Sequence, residues 1–123
     1  LIVKEVEAQE ISGHSDLDSM AQYFSANWPK SEIIITLGKA GVCMLKNDRR
    51  IEVDAFVVDA VDTTAAGDTF IGFFLSAYSQ HTDAKTALTR ACAASALAVT
   101  QVGAAQSIPD EEQVNRFLAK HNC

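Results

Sequence analysis

The order of strand-like and helical segments predicts an α/β fold, a sandwich of helices around a largely parallel sheet. Strand-like and helical patterns alternate along the 123 residues, with no repeats and no flexible linker. Ile33 to Leu37 is a continuous run rich in β-branched residues, typical of a buried strand in a parallel sheet. Thr69 to Tyr78 is apolar almost all round, which favours a buried helix. Ala84 to Val102 is rich in small side chains and predicts a long helix with close neighbours.

Helical periodicity and turn residues place the remaining elements. Lys4 to Ile11 predicts a short helix that ends at Gly13, its C-cap. Segment 15–18, Ser-Asp-Leu-Asp, resembles a capping box with Asp in place of Glu, and Pro29 stops the helix that follows. Gly72, within the buried helix, suggests close packing. The other predicted elements are strands at Gly41 to Leu45 and Arg50 to Phe56, a turn at Asn47-Asp48, and a final helix with Pro109 in its first turn and an apolar stripe of Val114, Phe117 and Leu118.

The composition limits the partners of the chain. A net charge of -6 and the lack of a Lys/Arg run argue against nucleic acid or an anionic membrane as a partner. No apolar run is long enough to span a bilayer, and the start, Leu-Ile-Val-Lys, has neither an initiator Met nor a signal-peptide pattern. Cys43, Cys92 and Cys123 lack CxxC or zinc spacing, which favours reduced thiols in a cytoplasmic protein.

Segment 61–70, Val-Asp-Thr-Thr-Ala-Ala-Gly-Asp-Thr-Phe, carries the strongest functional signal. Ala65, Ala66 and Gly67 lie where a hydrophobic helix begins, and free N–H groups at a helix start bind anions. Asp68 lies beside this positive end, so we expect an ionised carboxylate that accepts a proton. An anion pocket next to a carboxylate suits phosphoryl transfer to an alcohol. Taken alone, the same residues also fit a favourable helix-start charge and a small-residue turn.

Segment 62–70 resembles the second signature of the ribokinase-like carbohydrate kinases, the PfkB family. Ile34 to Val42 is similar to the family's nucleotide-loop strand, and Gly103 to Pro109 is similar to its C-terminal cation-binding loop. Order and spacing are closest to the ribokinase pattern. The resemblance implies the C-terminal portion of a three-layer α/β/α sandwich with a largely parallel sheet. Residues 1–123 would then be the nucleotide-binding part of a kinase domain whose N-terminal substrate and lid part is absent.

The resemblance also implies a set of site residues. Asp68 would be the general base that contacts the sugar hydroxyl, with Ala65, Ala66 and Gly67 as the anion hole. Nucleotide contacts are implied at Lys4, Thr36, Leu37, Gly38, Lys39, Ala40, Gly41, Gly67 and Cys92. A potassium site is implied at Asp62, Thr64, Ala98, Gln101, Gly103 and Ser107. Glu7 would hold magnesium through water.

The leading interpretation is an ATP-dependent sugar kinase that uses ATP, magnesium and potassium. The full-length parent would be a homodimer, and the isolated chain would be inactive, because most sugar contacts lie outside it. One departure from the family is Lys4, which stands where the family's Asn-x-x-Glu motif has Asn. Lys can contact phosphate but cannot accept a hydrogen bond. A noncatalytic pseudokinase fragment that binds nucleotide or a partner protein remains the alternative, and a vitamin or nucleoside kinase of the same superfamily differs only in substrate.

Overall fold

The computed structural model describes residues 1–47, 49–80, 82–102 and 108–121, and the chain divides into two compact units. The sheet unit, residues 1–54, contains β1 (Ile2–Lys4), α1 (Glu5–Ser12), α2 (Leu17–Asn27), β2 (Ile33–Thr36), a 3₁₀ turn (Gly38–Ala40), β3 (Val42–Lys46) and β4 (Arg49–Val53). The helical unit, residues 55–123, contains α3 (Ala66–Ser79), α4 (Ala84–Val99) and α5 (Glu111–Lys120). None of the helices in the described ranges combines the length and hydropathy that a bilayer crossing requires.

The sheet has the strand order β1-β2-β3-β4 and is mixed. β1 and β2 are parallel, with Ile2 opposite Ile34 and Lys4 opposite Thr36, whereas β2–β3 and β3–β4 are antiparallel. The predicted α/β class is therefore confirmed, but the sheet in the described residues is not largely parallel. Short connections are the physical reason, because a parallel crossover needs about a dozen residues or more. Only the β1–β2 connection, which contains α1 and α2, is long enough.

The predicted buried strand is confirmed by β2, where Ile33, Ile34 and Ile35 are all buried. One face of the sheet packs with α1 and α2 into a core that contains Ile33 and Ile35 together with Met20 and Phe24 of α2. Met20 and Phe24 follow helical spacing in the sequence, together with Leu17 and Ala21, which predicts one apolar stripe. The stripe therefore fixes which face of α2 meets the sheet.

Several element boundaries differ from the sequence prediction, among them the end of α4, at Val99 instead of Val102, and the end of β4, at Val53 instead of Phe56. β1 was not predicted, and Lys4 ends this strand instead of beginning a helix. The N-cap of α2 is Asp16, whose carboxylate accepts the Ser19 N–H at 2.9 Å, so the predicted box starting at Ser15 is wrong by one residue. The final helix begins after Asp110, so Pro109 precedes the helix. At the starts of α2 and α5 an Asp is the N-cap, because its carboxylate accepts a first-turn N–H. Gly13, by contrast, is the predicted C-cap, with a left-handed φ of 73°.

The helical unit is held together by small residues on α4. Ala93 and Ala94 of α4 are fully buried and form a core with Val114 and Leu118 of α5. These two α5 residues belong to the predicted apolar stripe, while Phe117 is partly buried against the same core. Arg90 of α4 reinforces the contact through hydrogen bonds to Asn115, at 2.8 Å, and to Glu111.

α3 is not buried all round, which corrects the sequence prediction. Ile71 and Leu75 are 36% and 54% exposed, and Gly72 between them is also exposed. A Cβ placed on Gly72 would meet no atom of the described chain within 4 Å, so close packing at this glycine is not observed. Composition predicts that a helix is apolar, but it does not specify which neighbour covers each face.

We expect Gly72→Ala to raise the free energy of unfolding of the 123-residue chain by about 0.5–1 kcal/mol, because Ala is the better helix former and the position is open. The matched variant Gly13→Ala should lower it by about 1 kcal/mol, since φ at Gly13 is 73°. Urea unfolding followed by circular dichroism measures both changes. A destabilising Gly72→Ala would show that a neighbour does pack on this glycine.

Candidate functional site

The first group of predicted site residues lies at the carboxyl ends of the parallel strands β1 and β2. Lys4 and Thr36 end these strands and are register partners. The Thr36 hydroxyl donates to the Val3 carbonyl at 3.4 Å, which holds the two strand ends together. Ligands of open α/β sheets bind at this edge of parallel strands. The structure therefore brings together two predicted nucleotide contacts that lie far apart in the sequence.

The loop that follows β2 is a tight turn built around two glycines. Gly38 and Gly41 have φ of 57° and 106°, and the Leu37 N–H donates to the Gly41 carbonyl at 2.8 Å. The Leu37 side chain packs against the sheet core, so Leu37 anchors the loop. Lys39 and Ala40 are exposed, and a Cβ on Gly38 would meet no described atom within 4 Å. The loop thus presents bare backbone and one ammonium group.

Glu7, the predicted magnesium residue, lies in the first turn of α1. Its Oε1 accepts the N–H of Lys4 at 2.8 Å, so the carboxylate caps the start of this helix. The side chains of both residues are exposed. Within the described part of the chain, the second carboxylate oxygen of Glu7 has no hydrogen-bond partner. The geometry leaves that oxygen available for a metal-bound water.

The second group lies in the helical unit, where α3 begins without a capping side chain. The N-cap is Ala65, which has no polar side chain. The Ala66 N–H donates to the Thr63 carbonyl at 3.2 Å and the Thr69 N–H donates to the Ala65 carbonyl at 2.9 Å. Among the described residues the N–H groups of Ala65, Gly67 and Asp68 then have no hydrogen-bond partner, and Gly67 and Asp68 are the exposed residues of the three. Of the three N–H groups predicted for the anion hole, the one of Ala66 is already used within the turn.

Three other helices differ from α3 at this point. In α2, α4 and α5 the carboxylates of Asp16, Asp83 and Asp110 accept first-turn N–H groups at 2.8 to 3.0 Å. The hydrogen bond from the Ser19 N–H lowers the pKa of Asp16, and the bond from the Thr86 hydroxyl lowers the pKa of Asp83. Each of these helices thus has one first-turn N–H group bonded to its own side chain. α1 and α3 have no such bond at the N-cap, and α3 leaves its first N–H groups open to an anion from elsewhere.

Asp68, whose own N–H is one of the open groups, is exposed. No described group forms a hydrogen bond or ion pair with its carboxylate. Helical spacing places Asp68 on the same exposed face as Ile71, Gly72 and Leu75. The next residue, Thr69, is buried, and its hydroxyl has no hydrogen-bond partner in the described chain. The carboxylate is therefore accessible, at the head of an uncovered apolar helix face.

Four of the six predicted cation-site residues, Asp62, Thr64, Ala98 and Gln101, lie at the C-terminal end of α4 or in the loop docked on it. The Asp62 carboxylate accepts the Thr64 N–H at 2.9 Å and also the Thr64 hydroxyl. The Val99 carbonyl accepts the N–H groups of Val61 and Asp62 at 2.7 and 3.0 Å, which docks this loop on α4. Ala98 and Gln101 lie at the same helix end, and the Gln101 N–H donates to the Ala98 carbonyl at 3.2 Å.

Gly103 and Ser107 lie outside the residues that the structure describes. Within the described ranges, no cluster of three or more His, Cys, Asp or Glu side chains could hold a metal ion. A cation at the end of α4 would therefore rely on the Asp62 carboxylate and on backbone carbonyls, which carry the negative end of the helix dipole. Such oxygen donors suit a hard cation.

Two contacts of α4 were missed by the sequence analysis. The Val99 carbonyl holds segment 61–62, and the Ser95 hydroxyl donates to the Ala66 carbonyl at 3.2 Å. A Ser within an Ala-rich helix is a sequence signal for such a bond, but it does not identify the partner. Cys92 lies on the same helix and is 7% exposed. Burial raises the pKa of its thiol to about 12, so Cys92 acts as a small apolar side chain.

Comparisons with known proteins identify relatives of this chain. A family model described as pfkB family carbohydrate kinase matches residues 1–111. Ribokinase from Staphylococcus aureus (strain COL) is 37% identical over 122 residues, which cover 94% of this chain and 40% of that protein. Deoxyribokinase from Salmonella typhi is 40% identical over 89 residues, which cover 72% of this chain and 29% of that protein. The chain thus spans well under half the length of these relatives.

Solved structures confirm the predicted fold. Ribokinase from Thermotoga maritima superposes with a TM-score of 0.87 and 35% identity, over 97% of this chain and 41% of that protein. A structure of Arabidopsis thaliana ribokinase complexed with ribose and ATP superposes with a TM-score of 0.89 and 27% identity, over 96% of this chain and 40% of that protein.

We expect the Cys92 thiol to resist alkylation by iodoacetamide at pH 8 in the folded chain and to react after unfolding in urea, because the thiolate is the nucleophile and its pKa is raised to about 12. The same pKa shift sets how the free energy of unfolding depends on pH. The contribution of the Cys92 thiol to that free energy is present below the ordinary pKa of 9.0 and is lost as the pH rises toward 12. Peptide mass spectrometry measures the labelling, and equal labelling of folded and unfolded chain would contradict the burial.

Proposed function

Because this chain belongs to the pfkB family of carbohydrate kinases, we propose that it is the C-terminal, nucleotide-binding part of an ATP-dependent sugar kinase. We call that longer protein the parent kinase, and we place it, as the resemblance implies, in the cytoplasm as a homodimer. The reaction transfers the γ-phosphoryl group of ATP to a primary hydroxyl of a sugar. The observation that carries the proposal is the accessible Asp68 carboxylate directly beside the open N–H groups at the start of α3.

Asp68 is the proposed general base. As the bond between the sugar oxygen and phosphorus forms and ADP leaves, the hydroxyl proton passes to the Asp68 carboxylate. A loose transition state demands little basicity from the acceptor until late, so an ordinary carboxylate held within hydrogen-bond reach is sufficient. The exposed side chain of Asp68 suits this role, because no described group forms a hydrogen bond or an ion pair with its carboxylate. A noncatalytic fragment would have no need for this pairing of base and anion donors.

The N–H groups of Gly67 and Asp68 are the proposed anion hole. Donors aimed at developing charge commonly contribute the largest part of catalysis in such sites. A Cβ on Gly67 would meet no described atom within 4 Å, so a phosphoryl group has room to approach the backbone. The positive end of the α3 dipole adds to the attraction. We therefore assign charge stabilisation to the backbone of the signature and proton transfer to its second carboxylate, Asp68.

The edge formed by β1 and β2 is the proposed nucleotide-binding part. Lys4 and Thr36 lie together there, and Lys39 and the bare Gly38 backbone follow. ATP in the Arabidopsis ribokinase structure supports a nucleotide as ligand of this fold. Lys4 would contact phosphate through its ammonium group, and Thr36 through its hydroxyl.

Magnesium and potassium are the proposed ions. A fructokinase from Vibrio cholerae contains ADP and potassium, and an E. coli protein of the same fold contains ATP and Mg²⁺. The oxygen donors at Asp62 and at the C-terminal end of α4 fit potassium, and the second oxygen of Glu7 fits a water of hydrated magnesium. Bound potassium would supply a fixed positive charge beside the loop that leads into α3.

We expect Asp68→Asn in the parent kinase to lower kcat by about 10²–10⁴-fold and to leave the ATP dissociation constant nearly unchanged, because Asn keeps the size but cannot take the proton. The control is Asp83→Asn, which changes an exposed helix N-cap to another residue that caps well and should leave kcat unchanged. A coupled ADP-release assay and calorimetric ATP titration measure both quantities. A kcat within a few-fold of the wild type would make Asp68 only a helix-start charge and favour the noncatalytic alternative.

We expect the parent kinase to turn over faster in potassium than in tetramethylammonium at equal ionic strength, because potassium would order the loop before α3. Asp62→Asn should weaken this activation, since it removes the carboxylate of the proposed site. Asp59→Asn, an exposed neighbour in the same segment, is the matched control. Equal rates in the two salts would remove the potassium site from the proposal.

A further inference from the structure

We infer that Ser95 is a positioning residue that aims the anion-binding peptide at the start of α3. The inference rests on the proposed function, because it concerns the N–H groups assigned to charge stabilisation. Ser95 lies on α4, and its hydroxyl donates to the carbonyl of Ala66 at 3.2 Å. It does not contact the proposed ligand directly. Its effect passes through the backbone of Ala66 and Gly67.

The geometry of the peptide bond links the two ends of this contact. The Ala66 carbonyl and the Gly67 N–H belong to one planar peptide group and point in opposite directions. Fixing the carbonyl therefore fixes the direction of the N–H. A hydrogen bond at the carbonyl oxygen also polarises the amide and makes its N–H a stronger donor. The Ser95 hydroxyl acts on both properties of the Gly67 donor.

The segment has turn and helix backbone bonds of its own but no capping side chain, so Ser95 adds a contact from outside α3. Ala65 and Ala66 have no polar side chain, and Gly67 is the most flexible residue type. Four residues after Ser95 on α4, the Val99 carbonyl holds the N–H groups of Val61 and Asp62. α4 therefore fastens this segment at both ends, with Val99 at its beginning and Ser95 at the anion-binding peptide.

Other hydroxyl groups of α3 and α4 donate to carbonyl groups of their own helix. Thr89 of α4 donates to the Lys85 carbonyl at 2.8 Å, and Ser79 of α3 donates to the Ser76 carbonyl at 2.9 Å. Ser95 instead reaches from α4 to α3, at the peptide next to Asp68. Ser79→Ala thus offers a matched control, because it removes a hydroxyl–carbonyl bond from the far end of the same helix α3.

The contact is tested on the 123-residue chain by ¹⁵N NMR. Ser95→Ala should move the Gly67 amide signal, because the hydrogen bond on its peptide is lost, and should leave the Gly72 amide signal of the same helix in place. Ser79→Ala should leave Gly67 unmoved. Ser95→Thr, which keeps the hydroxyl, should restore the wild-type Gly67 signal. An unmoved Gly67 signal in Ser95→Ala overturns the inference.

The consequence for the reaction is tested in the parent kinase. Ser95→Ala should lower kcat by about 3- to 10-fold, the scale of one hydrogen bond, and leave KM for ATP and for sugar within about twofold. Ser95→Thr should recover most of the rate, and Ser79→Ala should match the wild type.

A kcat of Ser95→Ala equal to that of the wild type overturns the inference. A change in KM and melting temperature without a change in kcat overturns it as well, because it would indicate a purely structural role of Ser95. Failure of the proposed function looks different, because the wild-type parent kinase would then release no ADP with any sugar. In that case the Gly67 signal still decides whether Ser95 positions the peptide.

Discussion

A helix leaves its first backbone N–H groups without partners inside the helix, and this demand shapes the starts of the helices in this chain. Asp16, Asp83 and Asp110 meet it for α2, α4 and α5, and their carboxylates are bound to first-turn N–H groups. α3 begins at Ala65 and has no such group. The helix with the signature sequence therefore begins with N–H groups that are open to an external anion. The proposed chemistry follows from that difference, since the same helix start carries the accessible Asp68.

α4 holds this open helix start in place through hydrogen bonds. Its Ala-rich sequence lets α3 and α5 pack closely, with Ala93 and Ala94 fully buried. The Val99 carbonyl and the Ser95 hydroxyl then hold the segment before α3 at two points. Because the C-terminal end of α4 also bears the proposed potassium ligands, one helix supports both the anion donors and the cation loop.

In the sheet unit, chain connectivity has the corresponding role. The two helices between β1 and β2 make this pair parallel, and their carboxyl ends therefore meet. Lys4 and Thr36 become neighbours although 31 residues separate them in the sequence. The short connections after β2 make the remaining pairs antiparallel. The glycine turn after β2 thus lies at the same edge as Lys4, in the place where the fold offers a nucleotide site.

The sequence by itself determined the α/β class, the family, the buried strand β2 and the apolar stripes of α2 and α5. These features depend on local periodicity and on contiguous motifs, which a single segment carries. The signature also identified Asp68 and the helix start beside it. The predicted starts of α2 and α5 were wrong by a residue or two, because neighbouring polar residues compete for the same first-turn N–H groups.

Only the tertiary structure decided which donors stay open, which residues support them and how the strands pair. Use of the Ala66 N–H within the turn, the bond from Ser95 to Ala66 and the docking of Asp62 on Val99 join residues on different elements. The mixed sheet and the exposed face of α3 likewise depend on connection lengths and on neighbours in space. Periodicity reports that a face is apolar or a residue small, but a hydrogen bond between elements exists only once packing brings donor and acceptor together.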